Sequence, residues 1–157
     1  MIFATVGSSQ TPFDRLVKAL DHLTEKLTEP VIIQRGASRY KPMKAQYFDF
    51  CDSFKMAELL QEADVVVAHA GFGVISDCIR LKKSMILVPR EHQFGDAEGI
   101  QVELAEYLAQ NNNGILCIRE VKNLSSALNQ VKNINPDYKF TNRIPELIQN
   151  FIDRRLL

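Results

Sequence analysis

The feature that most constrains this chain is a β-branched run, DVVVA at residues 64–68, followed at once by a glycine-rich turn and a helical pattern. A run with no polar face suits the interior of a parallel sheet, where a strand is covered on both sides. Shorter apolar runs recur at residues 2–6, 31–33, 84–88 and 115–118, with a further strand expected at 45–50. Helical spacing fills the gaps between them. Phe13, Leu16, Val17, Leu20, Leu23 and Leu27 make one such stretch, with Thr11 as its expected cap, Pro12 at its first position and Pro30 as its stop. Asp52 or Ser53 is the expected cap of a second, over Met56, Leu59 and Leu60. Further helices are expected over residues 72–81, 98–110, 124–131 and 144–157. Strands alternating with helices predict an α/β fold, an open parallel sheet with helices on both faces. At 157 residues, one domain accounts for the whole chain, 1–157.

Composition narrows the function classes. Nineteen basic side chains balance nineteen acidic ones, which leaves no electrostatic footprint for nucleic acid. No apolar run reaches the roughly 18 residues of a bilayer span, and the opening MIFATVGSSQ lacks the parts of an export signal. Cys51, Cys78 and Cys117 lie far apart with no CxxC, so reduced thiols in the cytoplasm are expected, not a zinc or redox motif.

In an open parallel sheet, ligands bind beyond the carboxyl ends of the strands, where the strand order switches. Three strand ends carry unusual residues. Gly7, Ser8 and Ser9 follow the first strand and lead towards a helix, whose unpaired N–H groups are worth roughly 0.3–1 kcal/mol to a nearby anion. An ordinary capped turn explains them equally well. HAGFGVISD at 69–77 places two glycines, Gly71 and Gly73, at a helix start and Asp77 about one turn inside it. A carboxylate there can accept from the vicinal hydroxyls of a ribose, or simply compensate the helix dipole. The third segment, PREHQFGDAEGIQ at 89–101, mixes amides (Gln93, Gln101), acids (Glu91, Asp96) and His92. Sugar hydroxyls both donate and accept, so such mixtures bind sugars, although a solvated loop has the same composition. Converging at one sheet edge, the three suggest a diphosphate, a ribose and a second sugar.

HAGFGVISD, the strand ending at Pro89 and QVELAE at 101–106 resemble the C-terminal donor domain of glycosyltransferase family 28. The opening TVGSS with FDRL at 13–16 is similar to the one-domain catalytic subunits of split, two-part members, eukaryotic or of the bacterial exopolysaccharide and capsule type. The likeness covers most of residues 1–110. It implies the Rossmann-like half of a GT-B glycosyltransferase that moves a sugar from a UDP-sugar to a hydroxyl of a lipid-linked saccharide, in exopolysaccharide or capsule biosynthesis. Carried over, Gly7, Ser8 and Ser9 form the first phosphate-facing loop. His69, Gly71, Phe72 and Gly73 lie in the turn beside the pyrophosphate. Asp77 stands where larger relatives hold the ribose with a Glu, and is one methylene shorter. The uracil falls near Phe50 and Cys51. Gln101 meets the transferred sugar, and His92 and Gln93 occupy the variable sugar loop, with His92 the candidate base.

The resemblance also implies chemistry without a metal or other cofactor, since the nearest approach to Asp-x-Asp is Asp96-Ala97-Glu98. N–H groups at the helix starts after Gly7 and Gly71 are then expected to stabilise the leaving diphosphate. An acceptor half is expected on a separate, membrane-anchored partner, which forms a heterodimer and recruits the chain to the inner face of the membrane. Ile144, Leu147, Ile148, Phe151 and Ile152 offer a helical face that docks on that partner or packs on its own domain. The alternative function is a non-catalytic nucleotide-sugar-binding regulatory subunit. A nicotinamide-binding domain is disfavoured because the first turn reads GSSQ, not GxGxxG.

Overall fold

The computed structural model describes residues 1–96 and 101–138. Six strands, β1 (Ile2–Thr5), β2 (Val31–Gln34), β3 (Gln46–Phe48), β4 (Val65–Ala68), β5 (Ser84–Leu87) and β6 (Ile115–Cys117), form one sheet in the order β3-β2-β1-β4-β5-β6. Every pairing is parallel, and Ile2 of β1 lies opposite both Val31 and Val65. The expected third strand shortens to three residues at the sheet edge.

Five helices cover the sheet: α1 (Asp14–Thr24), α2 (Ser53–Glu62), α3 (Phe72–Arg80), α4 (Gln101–Asn111) and α5 (Leu124–Val131). Alternation along each strand sends side chains to two separate cores. Ile2, Ala4, Val65, Val67 and Ile86 face Leu16 and Leu20 of α1 and Leu124 and Leu128 of α5. Phe3, Val66, Met85 and Leu87 face Leu60 of α2, Ile75 and Cys78 of α3, and Leu108 of α4. With apolar neighbours on both faces, β1, β4 and β5 are buried throughout, as their β-branched and apolar runs require.

Asp52 caps α2 as expected, its carboxylate accepting from the Lys55 N–H at 2.8 Å. The start of α1 differs. It opens at Asp14, not at Pro12, and Thr11 does not cap it. A distant loop supplies the partners instead. The Ser38 hydroxyl accepts from the Phe13 N–H at 3.0 Å, and the Asp14 carboxylate accepts from the Tyr40 N–H at 2.8 Å. Asp21, fully buried on the same helix, accepts from the Tyr40 hydroxyl at 2.7 Å and from the amides of Met43, Lys44 and Ala45 at 3.0, 2.8 and 2.9 Å. Burial would raise the Asp21 pKa, but these four donors outweigh it and hold the carboxyl at about 2.

The expected helix start at Glu98 and the tail helix over 144–157 lie outside the described residues. Among the described residues, no helix is long and apolar enough to cross a membrane. The strand order reverses beside β1: the chain steps outward to β2 and β3, then returns to β4 on the other side. A crevice therefore opens beyond the carboxyl ends of β1 and β4.

Candidate functional site

The first wall of the crevice is the turn after β1. Gly7 takes a φ of 79°, which favours glycine. Its N–H donates to the Thr5 hydroxyl at 3.1 Å, and that hydroxyl donates to Gln34 Oε1 at the end of β2. Gln34 Nε2 in turn donates to the carbonyls of Gly7 (3.1 Å) and Asp49 (3.3 Å). This network brings the first loop beside the segment that follows β3. Gly7, Ser8, Phe50 and Cys51 thereby share one cleft of about 350 Å³ with Gly71, Gly73 and Asp77.

The second wall follows β4. His69 precedes Ala70, which is buried with a φ of 64°, and Gly71, the N-cap residue of α3. The His69 imidazole fills the space between the two glycine turns. A Cβ on Gly7 would stand 2.4 Å from His69 Cε1, and one on Gly71 would stand 2.3 Å from Nε2. A protein side chain thus leaves no room for a Cβ at either position. Gly73 differs: a Cβ there meets nothing within 4 Å.

The first main-chain bond of α3 runs from the Ile75 N–H to the Gly71 carbonyl, so the amides of Phe72, Gly73 and Val74 precede the helical ladder. Asp77 lies half-exposed in the second turn and pairs with Arg80 at 3.0 Å. Burial, reinforced by the positive charge of Arg90 and opposed by the Thr5 main chain, lowers the His69 pKa to about 4. The ring is neutral at pH 7, and its buried Nδ1 has no hydrogen-bond partner among the described residues.

A second cleft of about 620 Å³ adjoins the first and is lined by Ser9, Thr11, His69, Arg90, His92, Gly95 and Gln101. His69 is common to both. Gln101, the first residue of α4, accepts the Arg90 N–H on Oε1 at 3.1 Å, which leaves its amide N–H groups as the end that can donate to a ligand. His92 sits on a 3-10 turn, His92–Phe94, closed by Gly95 with a φ of 71°.

Several expected contacts are absent from the two clefts. Phe72 is 78% exposed and lines neither. Gln93 lines neither, and its amide donates to Glu91 Oε2 at 2.7 Å. Glu91 and Asp96, read from sequence as hydroxyl-binding acids, are buried ion-pair partners of Arg119 and Arg15, each at 2.5 Å. The first loop also does not sit on a helix start, since its residues are separated from Asp14 and the Phe13 N–H is taken by Ser38. The helix start that does face the crevice is that of α3, with the amides of Phe72, Gly73 and Val74 ahead of its ladder.

Thr5, Gln34 and Arg90 are site residues that the sequence did not single out. Arg90 carried one signal, its place directly after a strand-ending proline. Among the described residues, no group of three or more His, Cys, Asp or Glu side chains is placed to hold a metal ion.

Known proteins share this fold. The model of the glycosyltransferase family 28 C-terminal domain matches residues 1–150. The UDP-N-acetylglucosamine transferase subunit ALG13 of Candida albicans is 27% identical over 114 residues, covering 72% of this chain and 36% of that protein. The UDP-N-acetylglucosamine--N-acetylmuramyl-(pentapeptide) pyrophosphoryl-undecaprenol N-acetylglucosamine transferase of Opitutus terrae is 41% identical over 49 residues, 31% of this chain and 12% of that one. The crystal structure of MurG from Acinetobacter baumannii superposes with a TM-score of 0.57 at 16% identity, covering 83% of this chain and 41% of that chain. The chain thus spans well under half the length of these relatives. Its sheet is the Rossmann-like half of a GT-B glycosyltransferase, and with nearly its whole length matched, the chain belongs to the glycosyltransferase family 28 C-terminal domain family.

Proposed function

We propose that this chain is the donor-binding, catalytic subunit of a two-component glycosyltransferase. It takes a UDP-sugar and transfers the sugar to a hydroxyl of a lipid-linked saccharide held by a membrane-anchored partner. The observation that carries this reading is the pair of clefts joined at His69. A nucleoside fits the first, with its base towards Phe50 and its ribose hydroxyls towards Asp77. The diphosphate then passes His69 under the α3 amides, and the sugar enters the second cleft beside Gln101 and His92. In the reaction the acceptor oxygen bonds to the anomeric carbon and loses its proton, and the anomeric C–O bond breaks with its electron pair left on UDP. His92, exposed in the sugar-side cleft, is the candidate for that proton.

Both curated relatives transfer N-acetylglucosamine by name, which makes UDP-N-acetylglucosamine the first donor to test. The word subunit in the name of the Candida relative supports a partner. Exopolysaccharide or capsule assembly is the setting we propose for it. The test is calorimetric titration with UDP, UDP-N-acetylglucosamine and NAD, followed by UDP release in the presence of the partner and a lipid-linked acceptor. Binding of UDP ligands and turnover with the partner are expected. UDP binding without turnover would favour the regulatory alternative, and binding of NAD alone would end the transferase reading.

A further inference from the structure

Arg90 is 2% exposed, yet among the described residues no carboxylate oxygen bonds its guanidinium. Its partners are all main-chain carbonyls: Thr11 at 2.9 Å, Pro12 at 3.0 Å, Asp96 at 3.1 Å and Val6 at 3.1 Å. Its Nε has no partner among the described residues. The guanidinium also lies over the Phe13 ring, 4.6 Å from its centroid. The Asp96 carboxylate acts on it through space only and is divided with Arg15, whose Nε bonds it at 2.5 Å. Arg15 is itself fixed by the carbonyls of Pro89 and Arg119 and by the Phe94 ring. Two guanidiniums therefore share one carboxylate. The neighbouring Glu91 adds nothing to the balance, since Arg119 engages both its oxygens.

An arginine keeps its charge even where burial opposes it. Among the described residues, the one counter-charge near Arg90 is the carboxylate divided with Arg15, and holding a buried cation with a partial counter-charge has a cost that is offset when an anion arrives. Arg90 lines the sugar-side cleft together with His69, Ser9 and Gln101. Its field reaches the imidazole shared by the two clefts, where it disfavours a proton. A field that repels positive charge at that point attracts negative charge there.

We propose that Arg90 is the fixed counter-charge for the donor diphosphate, a positioning residue that acts through its field from beneath the junction of the two clefts. This rests on the donor reading given above. The four carbonyls tie the first loop to the sugar loop and hold the charge in place before the ligand binds. As the anomeric C–O bond breaks, its electron pair passes to the UDP oxygen and the diphosphate gains a unit of negative charge. The attraction to Arg90 therefore grows on the way to the transition state, which is the condition for accelerating the step. The α3 amides are assigned to the same group.

The test is calorimetric titration of uridine, UMP and UDP against the wild-type chain, Arg90→Lys and Arg90→Met. In Arg90→Met, affinity for UDP is expected to fall about 10-fold or more while uridine changes less than about 2-fold. Arg90→Lys keeps the charge and loses the fork, so its UDP-to-uridine affinity ratio is expected within about 3-fold of wild type. Equal losses for uridine and UDP in Arg90→Met would make Arg90 a mere tie between loops and overturn the proposal. Should Arg90→Met fail to fold, Arg90→Lys decides: a retained ratio supports the counter-charge and a collapsed ratio overturns it. A wild-type chain that binds no UDP at all would overturn the donor reading, and this proposal with it.

Discussion

The imidazole of His69 stands where a side chain on residue 71 would begin, with Nε2 only 2.3 Å from the position of a Cβ on Gly71. Gly7 meets the same ring from the first loop, at 2.4 Å. One histidine thus dictates two glycines that are far apart in sequence, and the two turns that frame the crevice are keyed to each other through it.

Gly71→Ala is expected to destabilise the chain by about 1–3 kcal/mol, the usual cost of overpacking a closed site. The double variant His69→Ala/Gly71→Ala is expected to recover most of that loss, because the methyl then enters vacated space. Urea unfolding of the single and double variants checks this. A Gly71→Ala chain as stable as wild type would show that the ring yields freely.

Gly73 supplies the contrasting case, since a Cβ there meets nothing within 4 Å and the residue lies in the first turn of α3. Gly73→Ala is expected to leave Tm unchanged or raise it, by up to about 1 kcal/mol of helix propensity. On the proposed donor site, UDP affinity is expected to fall about 10-fold, equivalent to about 1.4 kcal/mol, because the methyl would crowd the amides assigned to the diphosphate. Thermal melting and calorimetry read the two effects separately, and a fall in both would remove the distinction between Gly71 and Gly73.

Asp77 pairs with Arg80 on a surface where an ion pair contributes little. Asp77→Ala is therefore expected to melt within a few degrees of wild type while binding UDP more weakly. The ligand control is 2′-deoxy-UDP: wild type should prefer UDP, and the variant should lose most of that preference. Unchanged discrimination in the variant would remove Asp77 from the ribose site.

Gln101 accepts the Arg90 main-chain N–H through Oε1, and on the proposed donor site its amide N–H groups donate to the sugar. Gln101→Glu retains the acceptor and loses the donors. It is expected to bind UDP nearly as wild type and to discriminate poorly among UDP-sugars, measured by competition binding. Gln101→Ala should discriminate as poorly. If both variants lose affinity for UDP as much as for UDP-sugars, the residue serves the loop and not the sugar.

Asp21 is held at about 2, below its ordinary 3.8, so the native state favours the ionised form. Its contribution is full above about pH 4 and disappears as the pH falls through about 2, a difference of about 2 kcal/mol. Urea unfolding at a series of pH values should show Asp21→Asn less stable at pH 7 and with a shallower loss towards pH 2. An acid profile identical to wild type would place the effect on other carboxyls.

Where local chemistry decided the outcome, the sequence was legible. The β-branched run at β4 reads as a covered strand because no other environment suits three adjacent valines. Asp52 caps α2 because its own carboxylate reaches the Lys55 amide. Long-range packing was not legible. Thr11 and Pro12 give a good local signal for a helix start, but Ser38 and Tyr40 supply partners to Phe13 and Asp14 from elsewhere in the chain. Glu91 and Asp96 resemble sugar ligands in a polar loop until Arg119 and Arg15 are brought to them. Arg90 is hidden for the same reason, since its burial depends on carbonyls up to 84 positions away.

The strand order has a further consequence during synthesis. β1 leaves the ribosome first, and one of its edges can pair as soon as β2 emerges, but its other edge waits until β4 has been made, about sixty residues later. Until β4 is made, β1 carries an unpaired strand edge, which is a liability for self-association.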